Sequence, residues 1–550
     1  MLRDFKLLDV VVKLKLGWGE LRFAFLCREP AGSVKKRIAI VGAGAAGLTA
    51  AGYFACRGYE IDVYDKLPYP GGMMAFAIPR TRIPIDEVAE GWRDLEQSFG
   101  VKFYLKTKVV AGEGFDEGEE FVERRVDLLE VSNSYDAVVV ATGTWRSRRL
   151  GVEGEDARNV TTALSFLYTR RLAEMGLAKP RVFHNAKKAV VIGAGLSAVD
   201  AVEECLSMGV SEVYLAYRRS AKEAPAGMHR IKELVARGAK LVELAQPKRV
   251  VVENGYARAV EFLKVQLGPP DETGRPRPVP IPGTEFTIEA DLVIVAVGEV
   301  PTPPIYAGEL AKYVDPSGRL SVGSDYRVPG TNIFAVGDVV TGPSKIGLAI
   351  EHALKAVRAI DSVLSGERVR VADMLKRVGP ARKPVLEFAL WSSDVAKSVC
   401  DFLSTYAEVG SEECLSMVPF LRVFDYSKCM GCETCNVVCN FIHDGRSYMR
   451  VRKTAEGLVF PTACLHCANA KCQASCKRDA IVRGSLGEVL IDMRKCNKCL
   501  DCLSACPVRA IRISRGDIVN CDLCLSLRQA GLSPACLSMC PSRAIKLVKR

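Results

Sequence analysis

The first part of the chain alternates short apolar runs with segments of helical period. Residues 38–41 form an apolar run that is followed by Gly42-x-Gly44-x-x-Gly47, a predicted helix and a second strand that ends at Asp65. Such glycines permit a tight turn and close approach of the backbone to a pyrophosphate, and an acid about twenty residues on accepts the adenosine ribose hydroxyl. The pattern therefore predicts a dinucleotide-binding βαβ unit.

A second unit of the same kind begins at residue 189. A strand leads into Gly193-x-Gly195-x-x-Ala198, then a helix and a strand that ends in Arg218 and Arg219. A guanidinium at this place suits a 2′-phosphate, which an acid would repel, so the unit favours NADP(H) over NAD(H). The alternative is that the arginine pair is only a solvated strand end.

Three further apolar strands lie between and after the two units. They are Ala137–Gly143, Leu292–Gly298 and Ile333–Asp338. Strands that alternate with helices in this way predict an α/β fold with parallel sheets and two Rossmann-like dinucleotide-binding domains. A proline-rich run over residues 269–282 is expected to be a loop.

The amino-acid composition agrees with this fold and excludes some other classes of protein. The 550 residues are 49% hydrophobic and 25% charged, as in a globular protein. The longest apolar stretches fall short of the roughly 20 residues that cross a bilayer. The first thirty residues mix apolar and charged positions and lack the pattern of a secretory signal, so we expect a cytoplasmic location.

Cysteine is concentrated in the last quarter of the chain, where 16 of the 21 cysteines lie between Cys429 and Cys540. Two motifs have the spacing C-x2-C-x2-C-x3-C, in which three thiolates can hold three irons of a cubane while the fourth serves a second cluster. They are Cys429, Cys432, Cys435 and Cys439, and then Cys496, Cys499, Cys502 and Cys506. This spacing predicts [4Fe–4S] clusters.

Two further motifs have a wider middle gap, so that all 16 cysteines fall into four sets of four. They are Cys464, Cys467, Cys472 and Cys476, and then Cys521, Cys524, Cys536 and Cys540. The fourth motif alone could form a zinc site, because its long gap lets two cysteine pairs fold onto one metal. Beside three cubane motifs we favour iron. His466, inside the second motif, either tunes a cluster or lies on a loop surface.

The net charge is as uneven as the cysteine content. Residues 421–550 contain 21 Lys and Arg against 10 Asp and Glu, so +11 of the total +12 lies there. A basic domain can indicate nucleic-acid binding, but four clusters with their thiolates add roughly −8 and bring the domain to about +3. We therefore expect no nucleic-acid partner.

The order of these cysteine motifs resembles the four-cluster polyferredoxin subunits of molybdenum and tungsten oxidoreductases, hydrogenases and formate dehydrogenases. In that family the clusters form an electron wire. The resemblance implies that the first motif exchanges its last cysteine with the fourth motif, and the second with the third. Cys439 would then serve the cluster of the fourth motif, and Cys540 that of the first.

Residues 37 to about 362 resemble the two-dinucleotide-binding flavoproteins, in which an NAD(P)H domain is inserted into a split FAD domain. Gly71-Gly72-Met73, the run from Ile78 to Pro84 and Tyr217-Arg218-Arg219-Ser220 are similar to the glutamate synthase small chain. That chain carries its cluster cysteines ahead of the flavin domain, whereas here they follow it.

The resemblance implies FAD and NAD(P)H as cofactors. Because the cofactors perform the chemistry, we expect no catalytic side chain. The expected cofactor-binding residues are Gly42, Gly44, Ala46, Gly47, Asp65, Lys66, Gly72, Met73, Arg82, Ala141, Thr142, Gly143, Gly193, Gly195, Leu196, Ser197, Ala198, Arg218, Arg219, Gly298, Gly337 and Asp338.

A disulfide-reductase activity is not expected. Reductases of this architecture need a C-x-x-C or C-x4-C pair beside the flavin, and no such pair precedes Cys429. Cys56 and Cys205 are single and lie late in the two nucleotide-binding helices, where we expect small buried thiols. Electrons would then leave the flavin through the clusters.

These patterns divide the chain into six segments. They are a lead (1–36), the first half of the split FAD domain (37–145), an inserted NAD(P)H domain (146–289), the second half of the FAD domain (290–362), a connector (363–420) and a polyferredoxin domain (421–550).

The predicted function is electron transfer between NAD(P)H and a protein through FAD and four [4Fe–4S] clusters. We expect a subunit of a hetero-oligomer that serves a catalytic redox subunit, such as a tungsten or molybdenum aldehyde-type oxidoreductase or a glutamate synthase-like enzyme. One alternative is a stand-alone or bifurcating NAD(P)H:ferredoxin oxidoreductase. Another is a binding module with purely structural clusters, for which an unreducible iron–sulfur spectrum would be the sign.

Overall fold

The first glycine fingerprint lies at one end of a five-stranded parallel sheet. The computed structural model describes residues 21–30, 32–178, 185–272, 274–378, 389–390, 423–426, 428–455, 457–546 and 548–549. The strands of this first sheet are, in spatial order, Ile333–Ala335, Ala137–Val140, Arg37–Val41, Glu60–Tyr64 and Lys102–Tyr104. The helix Ala45–Arg57, here the first nucleotide helix, connects two of them and is buried along almost its whole length. The fold class predicted from the sequence is thereby confirmed for this region of the chain.

The second fingerprint belongs to a second parallel sheet. Its strands are, in spatial order, Lys240–Val242, Glu212–Ala216, Lys188–Ile192, Leu292–Val295 and Val160–Thr162. The helix Leu196–Ser207 is here the second nucleotide helix. Placing the end of the inserted domain at residue 289 is therefore wrong, because Leu292–Val295 pairs with Lys188–Ile192 in this sheet. An apolar run indicates a buried strand but not the sheet to which it belongs.

The chain passes between the two nucleotide domains at one place. Arg146–Ser147 and Glu299–Val300 pair as antiparallel strands, one leading into the inserted domain and one leading out. Within the insertion a third, antiparallel sheet consists of Ala245–Glu253, Tyr256–Pro270, Pro276–Pro280 and Phe286–Glu289. The proline-rich run is therefore not simply a loop, because Pro276–Pro280 pairs with the end of the long strand.

Shorter elements complete the nucleotide-binding region. Its other helices are Met73–Phe76, Ile85–Phe99, Leu128–Ser134, Ala163–Glu174, Met228–Ala236, Asp338–Thr341, Ile346–Ser365 and Val371–Val378, with 3-10 turns at Ala221–Glu223 and Glu309–Tyr313. Thr107–Val110 and Arg124–Asp127 form a parallel pair. The helix Ile346–Ser365, here the bridging helix, leads from the flavin domain towards the iron–sulfur domain.

The iron–sulfur domain consists of strand pairs and short helices. The paired strands are Val423–Phe424 with Ile545–Lys546, Arg450–Lys453 with Val459–Thr462, Ile481–Arg483 with Val489–Ile491, Arg512–Ser514 with Asp517–Val519, and Ala389–Leu390 with Val548–Lys549. The helices are Thr434–Ile442, Lys471–Ala474, Asp501–Ala505, Leu525–Gln529 and Ala535–Ser538. The helix Thr434–Ile442, here the cluster helix, packs on the bridging helix. One hydrophobic core runs through both domains.

Residues 21–30 of the lead lie against the first nucleotide helix. The carbonyl of Phe23 is so close to Gly52 that a Cβ at that glycine would be 2.1 Å from the oxygen. Cys27 and Cys56 form a disulfide, so the expectation that Cys56 is a single thiol is wrong. The backbone N–H of Arg22 donates to the carbonyl of Ser538, which ties the lead to the iron–sulfur domain. Residues 1–20 and most of the connector lie outside the described residues.

A buried carboxylate anchors the bridging helix to the first nucleotide helix. Asp361, fully buried, accepts hydrogen bonds from Tyr53 (2.9 Å), Arg57 (2.8 Å) and Tyr59 (2.7 Å). One turn before Asp361 on the same helix, the guanidinium of Arg358 lies 3.9 Å from the ring centre of Phe441 in the cluster helix. In the described residues no helix is long and apolar enough to cross a membrane.

Candidate functional site

The three glycines of the first fingerprint have three different surroundings. Gly42 has a φ of +107°, and a Cβ there would be 2.5 Å from the carbonyl oxygen of Ala141. Gly44 has no atom closer than 4.0 Å to such a Cβ, so its backbone is open to a ligand. At Gly47 a Cβ would be 1.9 Å from the carbonyl oxygen of Gly42, which makes this glycine a packing residue.

A cavity of about 200 Å³, here the flavin cavity, opens at this fingerprint. Its lining includes Gly42, Gly44, Ala46, Asp65, Gly72, Met73, Arg82, Ala141, Thr142, Gly143, Leu196, Ser197 and Asp338, all expected from the sequence. Gly44 is the N-cap residue of the first nucleotide helix and has no side chain to cap it, so the first N–H groups of the helix remain available to a phosphate.

Two buried polar atoms at the flavin cavity have no hydrogen-bond partner within the chain. They are Thr142 Oγ1 and Arg82 Nε. A buried donor without a partner is costly, and a ligand that carries acceptor groups would satisfy both. Together with the open backbone at Gly44, these atoms fit a bound dinucleotide such as FAD.

Two acids, Asp65 and Asp338, line the flavin cavity. Asp65 accepts from the backbone N–H of Ala43 (2.6 Å) and of Leu67 (2.8 Å), and burial raises the pKa of its carboxyl. Asp338 accepts from the hydroxyl of Ser344 at 2.6 Å, and burial likewise raises its pKa. These bonds hold the carboxylates in fixed positions beside the cavity.

Nine residues expected to bind a cofactor do not line the flavin cavity. Gly47 packs within the first fingerprint, five belong to the second unit, and the other three are Lys66, Gly298 and Gly337. Lys66 donates to the carbonyl of Glu117 and lies 4.7 Å from the ring centre of Trp145; burial lowers its pKa to about 8. Gly337 packs on the first nucleotide helix, because a Cβ there would be 2.7 Å from the Cβ of Ala46. Gly298 has a φ of +110° and lies beside the side chain of Arg148.

The second fingerprint repeats the geometry of the first. A Cβ at Gly193 would be 2.2 Å from the carbonyl oxygen of Ala296, whereas at Gly195 it would meet nothing within 4 Å. Ala198 is fully buried in the core of the inserted domain, the packing position that Gly47 occupies in the first unit. The start of the second nucleotide helix is therefore open to a phosphate in the same way.

The two arginines at the end of the second unit differ in their surroundings. Arg219 is buried, donates to the carbonyl of Pro276 at 2.7 Å and forms an ion pair with Asp271 at 2.6 Å. Arg218 is exposed. Because the guanidinium of Arg219 is already bound to the third sheet, Arg218 is the better candidate for binding a phosphate.

Two acids, the buried Asp200 and the half-buried Glu299, lie where the inserted domain meets the flavin cavity. Arg82 forms an ion pair with Asp200 of the second nucleotide helix, and the two side chains are only 9% and 6% exposed. Burial raises the pKa of Glu299, which accepts from the hydroxyl of Ser197 at 3.0 Å. Asp200 and Glu299 line the flavin cavity, although neither stood out in the sequence.

A second, larger cavity of about 1210 Å³ adjoins the flavin cavity. The two cavities share Arg82, Leu196, Lys345 and Met430 in their linings. One wall belongs to the inserted domain and the other to the iron–sulfur domain, including the hairpin turn at Gly457 that touches Gly227. A nucleotide that reaches the flavin cavity through this space would contact both domains.

The first and fourth cysteine motifs meet around one small cavity. It is lined by Cys429, Cys432, Cys435 and Cys540. Burial raises the pKa of Cys439 to about 12, and Cys521 is the thiol that adds most to this effect. The exchange of last cysteines between these two motifs, which the resemblance implied, is thus possible in this fold.

The second and third motifs meet in the same way. A small cavity is lined by Cys476, Cys496, Cys499 and Cys502. Burial raises the pKa of Cys472 to about 12, and Cys506 is the thiol that adds most to this effect. Thiol donors grouped in fours fit iron–sulfur cubanes. Among the described residues no three His, Cys, Asp or Glu form a group suited to a single metal ion.

Further neighbours connect the four groups. Cys536 lies near Cys435, and Cys521 lies near Cys464. Cys502 lies near Cys472. The spatial order is therefore first, fourth, second and third motif. His466 is fully buried, and its Nδ1 accepts from the backbone of Val489 at 3.1 Å, so it is not on a loop surface.

The first cysteine motif also reaches the flavin cavity. Met430 and Cys432 line that cavity beside Lys345. Lys345 donates to the carbonyl of Gly431 at 3.4 Å and to Glu433 at 3.1 Å, which fixes the cysteine loop against the start of the bridging helix. Sequence reasoning missed these contacts, since the first and third motifs have the same spacing.

Comparison with known proteins finds a matching family for each of the two regions of the chain. Residues 36–358, more than half of it, match the pyridine nucleotide-disulphide oxidoreductase family, and residues 455–550 match the 4Fe-4S dicluster domain. The chain is 35% identical over 334 residues to the NADP(+)-dependent formate dehydrogenase subunit beta of Moorella thermoacetica (60% of this chain, 44% of that protein). It is 32% identical over 334 residues to the glutamate synthase [NADPH] small chain of Escherichia coli strain K12 (59% of this chain, 68% of that protein).

A third relative is the NADPH-Fe(3+) oxidoreductase subunit beta of Geobacter sulfurreducens, 35% identical over 356 residues (60% of this chain, 50% of that protein). In each of the first three curated relatives, the matched region spans about half of that protein's length. Among solved structures, the oxidoreductase FprA of Mycobacterium tuberculosis is 19% identical with a TM-score of 0.50, covering 69% of this chain and 98% of that one, which shows the fold. The chain belongs to the pyridine nucleotide-disulphide oxidoreductase family and, within it, is an FAD- and NAD(P)H-dependent oxidoreductase of the glutamate synthase small-chain type that carries a [4Fe–4S] domain.

Proposed function

We propose that this protein transfers electrons between NADP(H) and a partner protein, as the electron-transfer subunit of a larger redox enzyme. The observation that carries the proposal is that Met430 and Cys432 line the flavin cavity together with Gly44 and Thr142. The first cysteine motif therefore forms part of the wall of this cavity. When bound, FAD exchanges a hydride with the nicotinamide, and the iron–sulfur clusters carry single electrons.

In this proposal the residues divide into those that hold FAD and those that hold the nucleotide. Gly44, Ala46, Asp65, Thr142 and Asp338 would hold FAD, because they line its cavity. Gly195, Leu196, Ser197 and Arg218 would hold NADP(H). The exposed Arg218 favours the 2′-phosphate form.

The 16 motif cysteines would form four clusters with exchanged fourth ligands. Electrons would pass from the flavin cavity through four clusters in turn. Their cysteine groups contain, in that order, Cys432, Cys521, Cys464 and Cys499. This order follows from the thiol neighbours described above. No side chain needs to act as a general acid or base for single electrons to pass.

Relatives with subunit names support a multi-subunit assembly. The formate dehydrogenase and NADPH-Fe(3+) oxidoreductase relatives are both named as subunit beta. We infer that this chain likewise serves a separate catalytic subunit. A stand-alone NAD(P)H:ferredoxin oxidoreductase would instead be isolated without a large partner. The cytoplasmic location stays a prediction.

An anaerobic titration tests the proposal. The purified protein is titrated with NADPH and separately with NADH while flavin absorbance and cluster electron paramagnetic resonance are recorded, beside an iron count. We expect NADPH to bleach the flavin, the cluster signals to follow, and about sixteen irons per chain, from four cubanes. Flavin bleaching without any cluster signal, even with a stronger chemical reductant, would contradict the proposal.

A further inference from the structure

The two domains that enclose the larger cavity are in direct backbone contact. Residues 450–462 of the iron–sulfur domain form a hairpin, here the cavity hairpin, and a Cβ at its Gly457 would be 3.1 Å from the Cα of Gly227 in the inserted domain. Next to Gly227, the N–H of Ala226 donates to the carbonyl of Ala194 at 3.1 Å, inside the second fingerprint. The cavity hairpin therefore packs on the loop that lies against the expected phosphate site.

One face of the cavity hairpin forms part of the wall between the nucleotide space and the first cysteine motif. Val451 lines the small cavity of that motif, and Lys453 lines the larger cavity. Val459, which pairs with Lys453 across the hairpin, lines both cavities. Residues two apart on a strand point to the same face, so this face carries the apolar side chain at the cysteines and the lysine at the larger cavity.

Most charged side chains around the larger cavity already have a partner of opposite charge. The acids in its described lining each form an ion pair with an arginine, and they are Glu174, Glu203, Glu204 and Glu233. Lys222 of the inserted domain and Lys453 of the cavity hairpin are exposed, and neither forms an ion pair within the described residues. The two walls therefore each contribute one cation that an anionic ligand could bind.

The cavity hairpin contacts the end of the larger cavity where the adenosine ribose is expected. Arg218 follows the strand Glu212–Ala216, at the place that recognises this ribose, and the segment that continues from it contains Lys222 and ends at Gly227. Met430, which the two cavities share, marks the flavin side instead. A hairpin seated on Gly227 thus lies at the adenosine end of a bound nucleotide.

We propose that Lys453 of the iron–sulfur domain binds the 2′-phosphate of NADP(H) together with Arg218 and Lys222. The proposal rests on the proposed function, because it takes NADP(H) as the nucleotide. A 2′-phosphate at this end of the cavity would be attracted by three cations from two domains, whereas NAD(H) offers them no charge there. Selectivity for NADP(H) would then depend on a hairpin outside the dinucleotide folds, and the site would be complete only while that hairpin is seated on the inserted domain.

Binding of nucleotide fragments tests the role of Lys453 without electron transfer. One probe is adenosine 2′,5′-bisphosphate, which has the 2′-phosphate but no nicotinamide, and the other is adenosine 5′-monophosphate, which lacks the 2′-phosphate. Their affinities for the oxidised full-length protein with its cofactors are measured by calorimetry. The variant is Lys453→Glu. The control is Lys102→Glu, which makes the same charge change at an exposed lysine of the flavin domain.

We expect Lys453→Glu to weaken binding of the bisphosphate at least tenfold and that of the monophosphate less than twofold. Lys102→Glu should change neither affinity by more than twofold. Unchanged binding of the bisphosphate by Lys453→Glu, or equal weakening of both probes, would overturn the assignment to the 2′-phosphate.

A second pair of variants tests the seating of the cavity hairpin. Gly457 and Gly487 both lie in hairpin turns, with φ of +88° and +84°, and asparagine adopts such angles more readily than most residues. Gly457→Asn must push the hairpin away from Gly227, whereas a Cβ at Gly487 would meet nothing within 4 Å. We expect Gly457→Asn to weaken bisphosphate binding at least fivefold and Gly487→Asn less than twofold.

Equal binding of the bisphosphate by the two glycine variants would show that the seated hairpin is no part of the nucleotide site. Flavin bleaching and cluster reduction by NADPH are recorded on the wild-type samples. Silent clusters in a wild type that binds the bisphosphate normally would contradict the proposed function and leave the fragment measurements as a separate result.

Discussion

The carbonyl oxygen of Cys432 lies so close to Gly347 that a Cβ at that glycine would be 2.1 Å from it. The backbone N–H of Thr434 would be only 2.8 Å away. Both belong to backbone, which cannot turn aside as a flexible side chain can. The start of the bridging helix and the first cysteine loop are therefore in direct contact beside the flavin cavity.

Gly347→Ala tests this contact. Alanine favours helix over glycine by about 1 kcal/mol, so any damage must come from the clash with the cysteine loop. We expect the loop to move away and cluster reduction by NADPH to slow at least tenfold, while the flavin bleaches as before, measured by anaerobic stopped-flow. Leu348→Ala is the control, because that side chain is 47% exposed on the same helix. Equal cluster reduction in both variants would mean that the contact is irrelevant to electron transfer.

Substitutions at Arg218 and Arg219 should have different effects: the first on nucleotide specificity, the second on stability. A charge-assisted hydrogen bond contributes about 1.5–3 kcal/mol, so Arg218→Ala should weaken NADP⁺ binding by roughly ten- to a hundredfold and leave NAD⁺ binding unchanged. Arg219→Ala should instead lower the unfolding midpoint, because Asp271 loses its ion pair. Nucleotide titration and thermal unfolding measure the two effects. A selective loss of NADP⁺ affinity in the Arg219 variant would reverse the assignment.

The sequence predicted the fold class and both cofactor classes because these depend on local spacing. A strand, Gly42-x-Gly44-x-x-Gly47 and a helix form one continuous unit, and each cysteine loop is equally local. The flavin-facing role of Met430 and Cys432 depends instead on how two helices pack through Gly347. Since the first and third motifs have the same spacing, no local pattern could tell which one faces the flavin.

Other features missed in the sequence depend on contacts between distant residues. Arg219 was expected to bind a nucleotide, but its partner Asp271 lies 52 residues away. The strand Leu292–Val295 pairs with the inserted domain, which the sequence does not predict, because an apolar run carries no information on its neighbours. The Cys27–Cys56 pair has a separation of 29 residues, which matches no motif spacing.

Removing the Cys27–Cys56 disulfide should destabilise the flavin domain. A cross-link over this loop length typically contributes about 2–4 kcal/mol to the free energy of unfolding. We expect Cys27→Ser to lower that free energy by a similar amount, measured by chemical denaturation beside the wild type in reductant. Peptide mapping of the unreduced protein should recover the two cysteines as one linked pair. Alkylation of both thiols in the unreduced native protein would show that the disulfide does not form.

Cys205 should be unreactive at neutral pH. Burial raises the pKa of its thiol to about 12, and the nearby Glu204 charge raises it further. The reactive thiolate is then about one in ten thousand molecules at pH 8. Iodoacetamide should label the Cys205 peptide only after unfolding, as followed by mass spectrometry. Rapid labelling of the native protein would contradict this prediction.

The raised pKa of Cys205 also makes the free energy of unfolding depend on pH. An unfolded cysteine titrates near 8.5, so above that pH the native state holds the Cys205 proton more tightly than the unfolded state. The contribution of this thiol to the free energy of unfolding is therefore full below about pH 8.5 and is lost as pH rises towards 12. Cys205→Ala should lack this component of the pH dependence.

The ion pair between Arg82 and Asp200 is a buried link between the flavin domain and the inserted domain. Removing one partner of a buried pair leaves the other charge without compensation and costs about 3–5 kcal/mol. We expect Asp200→Asn and Arg82→Met each to lower the free energy of unfolding by that amount. The double variant should lose less than the sum, because it leaves no unpaired charge.

The neighbouring pair of Arg80 and Asp86 provides a matched control. Its atoms are 3.8 Å apart, and its side chains are 63% and 57% exposed, so Arg80→Ala should cost less than about 1 kcal/mol. Chemical denaturation compares the four variants. If Asp200→Asn were as mild as Arg80→Ala, water would already be screening the inner pair, and the two domains could separate there without losing a buried contact. If it is as costly as expected, the ion pair helps to hold the second nucleotide helix against the loop that carries Arg82, beside the flavin cavity.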